Sequence, residues 1–258
     1  MARRTSYTAG TPNWVDLTTS DLAGAQAFYG AVFGWSTREV MPGFYSYFVD
    51  DDGAIVAGLA ELNETQIARG MPPSWSMYVS VDDVAATADR ARELGGTVVF
   101  GPEAIEETGA LAAVADPQGA VVLLWQPAPF AGAEVVNGPG LWSWNDLQTP
   151  DPEVASPFYE ALFGWTTAAI PGADGVYRTI GHEGRNIGGI MRAPAGVAHP
   201  YWTVYIGVAE LDATLERIGA AGGQTLVEPM AVPAGRFAVT MDPQNAILCL
   251  VESHEYDD

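Results

Sequence analysis

Apolar positions change period along the chain, and the changes recur. From Leu22 to Phe33, apolar side chains stand at Leu22, Ala25, Phe28, Tyr29, Val32 and Phe33, the spacing of a helix with one buried face. Asp21 precedes this run where free backbone N–H groups need an acceptor, and Gly34 follows it. Trp14 to Leu17 reads as a short strand before the helix, and two or three short strands follow it, around residues 44–49 and 54–62. The pattern then restarts. A strand over Ser76–Val81 leads to a helix capped by Asp82 or Asp83 and closed by Gly95-Gly96, with strands near 97–100, 111–115 and 120–125. Each run reads strand, helix, three strands.

The second half of the chain repeats the first. Residues 13–35, NWVDLTTSDLAGAQAFYGAVFGW, and residues 143–165, SWNDLQTPDPEVASPFYEALFGW, agree at 12 of 23 positions at an offset of 130. The agreement includes Trp14/Trp144, Asp16/Asp146, Phe28/Phe158, Tyr29/Tyr159 and Trp35/Trp165. Further on, Met41-Pro-Gly answers Ile170-Pro-Gly, Trp75-x-x-Tyr78 answers Trp202-x-x-Tyr205, and Asp116-Pro-Gln answers Asp242-Pro-Gln. A strand over Tyr201–Val208, a helix over Leu211–Ala221, Gly222-Gly223 and strands to Val251 complete the second copy. The division is therefore residues 1–126, a linker at 127–140 rich in Pro, Gly and Ala, and residues 141–258. Four βαβββ units make an α+β protein, because strands and helices are too interleaved for an all-β fold and helices too few for alternating α/β.

Composition narrows the chemistry. The chain has 32 acidic and 11 basic residues and a net charge of −21, a field that repels nucleic acid. Every basic residue is arginine, so neither Schiff-base chemistry nor a P-loop lysine is available. One cysteine and three histidines supply neither a disulfide nor a zinc finger. No long apolar run suits a membrane span, and Met1-Ala-Arg-Arg-Thr-Ser-Tyr leads into no apolar leader segment, so a soluble cytoplasmic protein is expected. No Gly-x-Ser-x-Gly motif points to a hydrolase.

Four βαβββ units, a Phe-Tyr helix ending in Phe-Gly-Trp, Gly-Gly after each second helix and Asp-Pro-Gln before each last strand together resemble the vicinal oxygen chelate superfamily. This is the group of glyoxalase I, bleomycin- and fosfomycin-resistance proteins and extradiol dioxygenases. The resemblance runs from Trp14 to Glu252 and is similar to the two-module actinobacterial glyoxalase-like type. It implies tandem modules with cup-shaped, curled mixed sheets. It also implies metal-ligand positions at Trp14, Ser76 and Leu123 in the first copy and at Trp144, Thr203 and Cys249 in the second. A fourth falls among Ile55–Ala60 or Asn186–Met191. None of these holds a histidine or a carboxylate. A Lewis-acid site needs three or four converging donors, and an extradiol iron site needs two histidines and a carboxylate. No metal and no cofactor is expected.

Alternation along the strands puts Asp16 beside Trp14 and Asp146 beside Trp144. By the resemblance, Ser76 with Tyr78, Leu123 with Trp125, Thr203 with Tyr205, and Cys249 with Val251 also face inward. The resemblance further implies cavities shared between copies: Trp14, Asp16, Thr203, Tyr205 and Cys249 around one, and Trp144, Asp146, Ser76, Tyr78, Leu123 and Trp125 around the other. Aromatic walls with few polar groups suit a flat, aromatic or carbonyl-rich organic molecule. A carboxylate facing such a wall gains a raised pKa and becomes an acid–base candidate. Trp14 and Trp144 could equally fill a vacated pocket. Trp35 and Trp165 are expected to plug the core, and Trp75 and Trp202, at strand starts, are placed to pack outward. His182, His199 and His254 are expected in exposed loops or the tail. Gly58, Gly188 and Gly189 are expected to mark bulges.

The resulting expectation is a metal-independent binding protein, a monomer with an internal pseudo-dimer, serving sequestration, antibiotic resistance or a cofactor-free natural-product step. Two alternatives stay open: a divergent lyase or oxygenase-type enzyme with a metal held in another way, and a scaffold whose cups are filled.

Overall fold

The computed structural model describes residues 2–105, 107–170, 176–194 and 199–254. The proline and glycine after Ile170 and the end of the acidic tail lie outside them. The first strand, β1 (Ala2–Arg3), pairs with β10 (Val135–Val136) in the linker. The first copy contains β2 (Pro12–Thr19), α1 (Leu22–Phe33), β3 (Ser36–Met41), β4 (Tyr45–Val49), β5 (Ile55–Glu61) and a short α2 (Glu64–Ala68). It continues through β6 (Ser74–Ser80), α3 (Val84–Glu93), β7 (Thr97–Ile105), β8 (Gly109–Ala115) and β9 (Val121–Pro127). The second copy opens with β11 (Trp142–Thr149), α4 (Pro152–Phe163), β12 (Thr166–Ala169), β13 (Tyr177–His182) and β14 (Arg185–Arg192). It closes with β15 (Tyr201–Gly207), α5 (Leu211–Ala220), β16 (Gln224–Val232), β17 (Gly235–Met241) and β18 (Ile247–Ser253).

Four βαβββ units are present, and they form two curled eight-stranded mixed sheets, one per copy. The order is β3-β4-β5-β2-β6-β9-β8-β7 in the first and β12-β13-β14-β11-β15-β18-β17-β16 in the second. Local rules account for the helices. Asp21, Asp83 and Asp151 each cap a helix by accepting a backbone N–H, and Gly34 and Gly164 end α1 and α4 in the left-handed conformation that glycine adopts without penalty. Among the described residues, no helix is long and apolar enough to cross a membrane.

The opening strands of the two units within one copy lie side by side, antiparallel: β2 on β6, with Asp16 opposite Ser76, and β11 on β15, with Asp146 opposite Thr203. Each concave face is therefore built inside one copy. This corrects the expectation of cavities shared between copies: Trp14 and Asp16 stand with Ser76 and Tyr78, and Trp144 and Asp146 with Thr203, Tyr205 and Cys249.

The copies meet where β6 lies against β15, and also through side chains of the helices. The Tyr29 hydroxyl donates to Asp242 at 3.0 Å and accepts from Trp75 Nε1 at 3.0 Å; its counterpart Tyr159 donates to Asp116 at 3.1 Å and accepts from Trp202 at 3.3 Å. Trp75 and Trp202 are thus buried against helices rather than packed outward, because each indole N–H has a phenol to reach. Trp35 and Trp165 are core plugs that also reach beyond their own copy: Trp35 donates to the Gly140 carbonyl of the linker at 2.9 Å, and Trp165 to the Gly10 carbonyl of the first copy at 2.6 Å. His182 is not in an exposed loop: half-buried, its Nε2 lies 3.0 Å from the Ala9 carbonyl. His199 and His254 are exposed.

Asp116 also accepts from two backbone N–H groups of its own turn, so it stays partly satisfied without Tyr159. Tyr159→Phe is expected to lower stability by about 1–2 kcal/mol, the net value of buried hydrogen bonds lost without loss of ring volume. Urea unfolding checks this, and no change in midpoint would mean that the hydroxyl is not holding the copies together.

Candidate functional site

Each cup has a buried carboxylate at its floor. Asp16, 5% exposed, accepts from the Tyr78 hydroxyl at 2.5 Å. Asp146, 4% exposed, accepts from Tyr177 at 2.7 Å and Trp144 Nε1 at 3.0 Å on one oxygen, and from Tyr205 at 2.7 Å on the other. In the first cup, Trp14 Nε1 reaches the Tyr45 hydroxyl at 3.2 Å, matching the 3.2 Å approach of Trp144 to Tyr177. The strands enforce this. Alternation places Trp and Asp two residues apart on one strand face, and pairing with the neighbouring strand brings a tyrosine across.

Tyr45 and Tyr177 are absent from the sequence reading, and two glycines explain how they reach the carboxylates. A Cβ on Gly58 would lie 2.2 Å from Tyr45 Oη, and one on Gly189 would lie 2.0 Å from Tyr177 Oη and 2.4 Å from Asp146 Oδ1. Strand pairing is regular at both positions, so Gly58 and Gly189 mark close approach, not bulges. Gly188 does border an irregularity, opposite Ile180. A glycine opposite an aspartate on the same cup was the available signal.

Burial sets the electrostatics. Loss of water pushes the Asp16 carboxyl up to about 6, against the opposing pull of the Tyr78 hydrogen bond. Asp146 is also raised by burial, and its hydrogen bonds from Tyr177, Tyr205 and Trp144 favour the charged form. Tyr45, Tyr78, Tyr177 and Tyr205 are all raised, first by burial and then by the nearby carboxylate, so they stay protonated and donate. The Cys249 thiol is raised by the same two causes and remains neutral, unsuited to nucleophilic work.

The remaining positions differ between the cups. Ser76 sits opposite Asp16; Leu123 pairs with Tyr78; Trp125 stands two residues beyond Leu123. In the second cup, Thr203 sits opposite Asp146 and Cys249 pairs with Tyr205. One carboxylate per cup, with a neutral thiol in the second, falls short of a ligand set. Among the described residues, no group of three or more His, Cys, Asp or Glu side chains could hold a metal. The donors present do not fit the metal that this fold commonly carries. They fit a hydrogen-bond acceptor and proton holder set among phenols, able to grip a hydroxyl or carbonyl compound or to exchange a proton near neutral pH.

A sequence profile of the Glyoxalase/Bleomycin resistance protein/Dioxygenase superfamily matches residues 11–124. Over its full span the chain is 38% identical to the putative glyoxylase CFP32 of Mycobacterium tuberculosis, covering 98% of both proteins. The chain belongs to this superfamily. The chain is also 34% identical to the anthracycline biosynthesis protein DnrV of Streptomyces peucetius, over 97% of this chain and 96% of that protein. The fold of this chain matches that of the Mn(II)-bound glyoxalase from Novosphingobium aromaticivorans, with a TM-score of 0.67, 17% identity, and coverage of 97% of this chain and 84% of the other. The 2,3-dioxygenase LapB from Pseudomonas sp. KL28 matches with a TM-score of 0.66 and 12% identity, over 99% of this chain and 96% of the other. At such identities these two structures establish the fold alone.

Proposed function

We propose that this protein binds a small organic molecule carrying a hydroxyl or carbonyl group, and does so without a metal held by its own side chains. The observation that carries the reading is Asp146, a buried carboxylate ringed by Trp144, Tyr177 and Tyr205 on the strand faces from which related proteins would present metal ligands. A fixed acceptor among phenols orients such a ligand, and the flat indole beside it offers an apolar surface for an aromatic ring. The name of DnrV, an anthracycline biosynthesis protein, agrees with a polycyclic aromatic ligand for this chain. Sequestration, resistance and a cofactor-free biosynthetic step are all served by the same grip. The chain acts as a monomer whose two copies form an internal pseudo-dimer, and works in the cytoplasm.

A second reading, an acid–base enzyme, has its own support: Asp16 exchanges its proton near pH 6, where a general acid or base is effective. The filled-scaffold reading draws on Trp14, only 3% exposed.

Titration with alizarin, a planar hydroxylated quinone, is expected to quench tryptophan fluorescence. Trp144→Ala is expected to weaken this binding by about 1–3 kcal/mol, the range for a single aromatic anchor, while the fold survives because Trp144 is only half-buried. A panel of planar hydroxylated and carbonyl compounds that shifts neither fluorescence nor melting, together with unfolding of Trp144→Ala, would select the scaffold.

A further inference from the structure

Helices of the two copies pack across two matching seams, α1 against α5 and α3 against α4. Thr214, Arg217 and Ala220 of α5 answer Thr87, Arg90 and Glu93 of α3. In the first seam Arg217 turns inward. Its Nε donates to the Val32 carbonyl in the last turn of α1 at 3.1 Å, and its Nη2 donates to Thr214 Oγ1 at 2.8 Å. A guanidinium there also meets the negative end of the α1 dipole. Three positions on stands Ala220, which offers no rival acceptor.

In the second seam Arg90 turns away. Its Nη1 donates to Glu93 Oε2 at 2.9 Å, and both side chains are at least half exposed. Beside it lies a groove of about 340 Å³, lined by Val81, Asp82, Asp83, Thr87, Leu162 and Phe163, with Arg90 also on its wall. Leu162 holds in α4 the place that Val32 holds in α1, so the carbonyl end of a helix stands here too. Thr214 accepts from Arg217 while donating to the Glu210 carbonyl at 2.8 Å. Thr87 makes the same donation to the Asp83 carbonyl at 2.8 Å, and its oxygen can accept in the same way. Asp82 adds a carboxylate where the second copy has Ala209.

We propose that this groove is a binding site for a small organic cation, whose amidinium, guanidinium or ammonium group takes the place that Arg217 takes in the matching seam. The charged group reaches Thr87, Asp82 and the last turn of α4, and the apolar body rests on Val81, Leu162 and Phe163. Glu93 keeps the place free by holding Arg90 outside. The net charge of −21 draws cations towards the whole surface, and the seam supplies the geometry that selects one position on it. The site lies apart from the cups and stands whether or not they bind a ligand.

Isothermal titration with benzamidine, a flat amidinium, tests this beside its neutral counterpart benzamide. The native protein is expected to take up about one equivalent of benzamidine and to bind benzamide about tenfold more weakly or worse, because charge-assisted hydrogen bonds are lost. Thr87→Val keeps size and charge while removing the acceptor, and is expected to weaken benzamidine about fivefold. Ala86 is exposed on the groove wall, so Ala86→Trp is expected to fill the groove and abolish uptake with the fold intact. Trp144→Ala is expected to leave uptake unchanged, which separates this site from the cup. Equal uptake of benzamide, loss of uptake in Trp144→Ala, or indifference to both Thr87→Val and Ala86→Trp would overturn the site. So would uptake only after Arg90→Ala, which would make Arg90 the occupant of the groove, and so would no uptake by any of these proteins.

Discussion

Trp165→Ala is expected to destabilise the protein by about 3–5 kcal/mol, the cost of emptying a large aromatic site in a core that relaxes only partly. Trp165 is 3% exposed, stacks with Tyr159 at 5.7 Å and meets Trp202 at 6.0 Å. Its indole N–H also donates to the Gly10 carbonyl in the other copy, so the substitution loosens both copies together. A domain's total stability is on the order of 5–15 kcal/mol, so this one change removes a large share of it. Melting is expected to fall by roughly 10–15 °C for a chain of this size. Calorimetry on Trp165→Ala beside Trp144→Ala makes the comparison sharp: the first is structural, the second is placed to hold ligand. Equal losses would put Trp144 in the same structural class.

The second large effect is a dependence on pH. Asp16 titrates at about 6 in the folded protein, against 3.8 for an unburied aspartate. Between those values the folded state keeps a proton that the unfolded chain has released, so stability falls as pH rises through the window. Asp16 thus favours the folded state fully below pH 3.8, and that contribution is gone once pH has passed 6. The shift corresponds to about 3 kcal/mol. Many other carboxylates titrate in the same range, so the measurement is the difference between the native protein and Asp16→Asn. Urea unfolding from pH 7 down to 3.5 is expected to move that difference in favour of the native protein by about 3 kcal/mol, most of it below pH 6. A difference that stays flat over that range would show that Asp16 is not held away from water, and would remove the basis for acid–base work there.

Much of this was legible in the residues. The duplication, the four βαβββ units and the helix caps at Asp21 and Asp83 depend on local periodicity and on short-range hydrogen bonds, which a linear pattern records directly. Trp14, Asp16, Trp144 and Asp146 could be placed on common strand faces because side chains alternate with a period of two. Tyr45 and Tyr177 could not be placed at the carboxylates, because each arrives from a different strand and only across a glycine. Phe130 sits in a segment of loop composition, and nothing in that composition says which cup the ring enters.

The sequence alone determined the superfamily, the repeat, the shortage of metal donors and the carboxylate in each copy. Only the tertiary structure decided which residues share a cup. Strand partners are chosen by edges that meet in space, and β2 met β6 of its own copy, while the copies meet where β6 lies against β15 and through the Tyr29–Asp242 and Tyr159–Asp116 hydrogen bonds. It also decided that two nearly matching cups differ. Phe130 of the linker packs on Trp14 and Tyr47 of the first, because aromatic packing depends on distances between residues far apart in the chain.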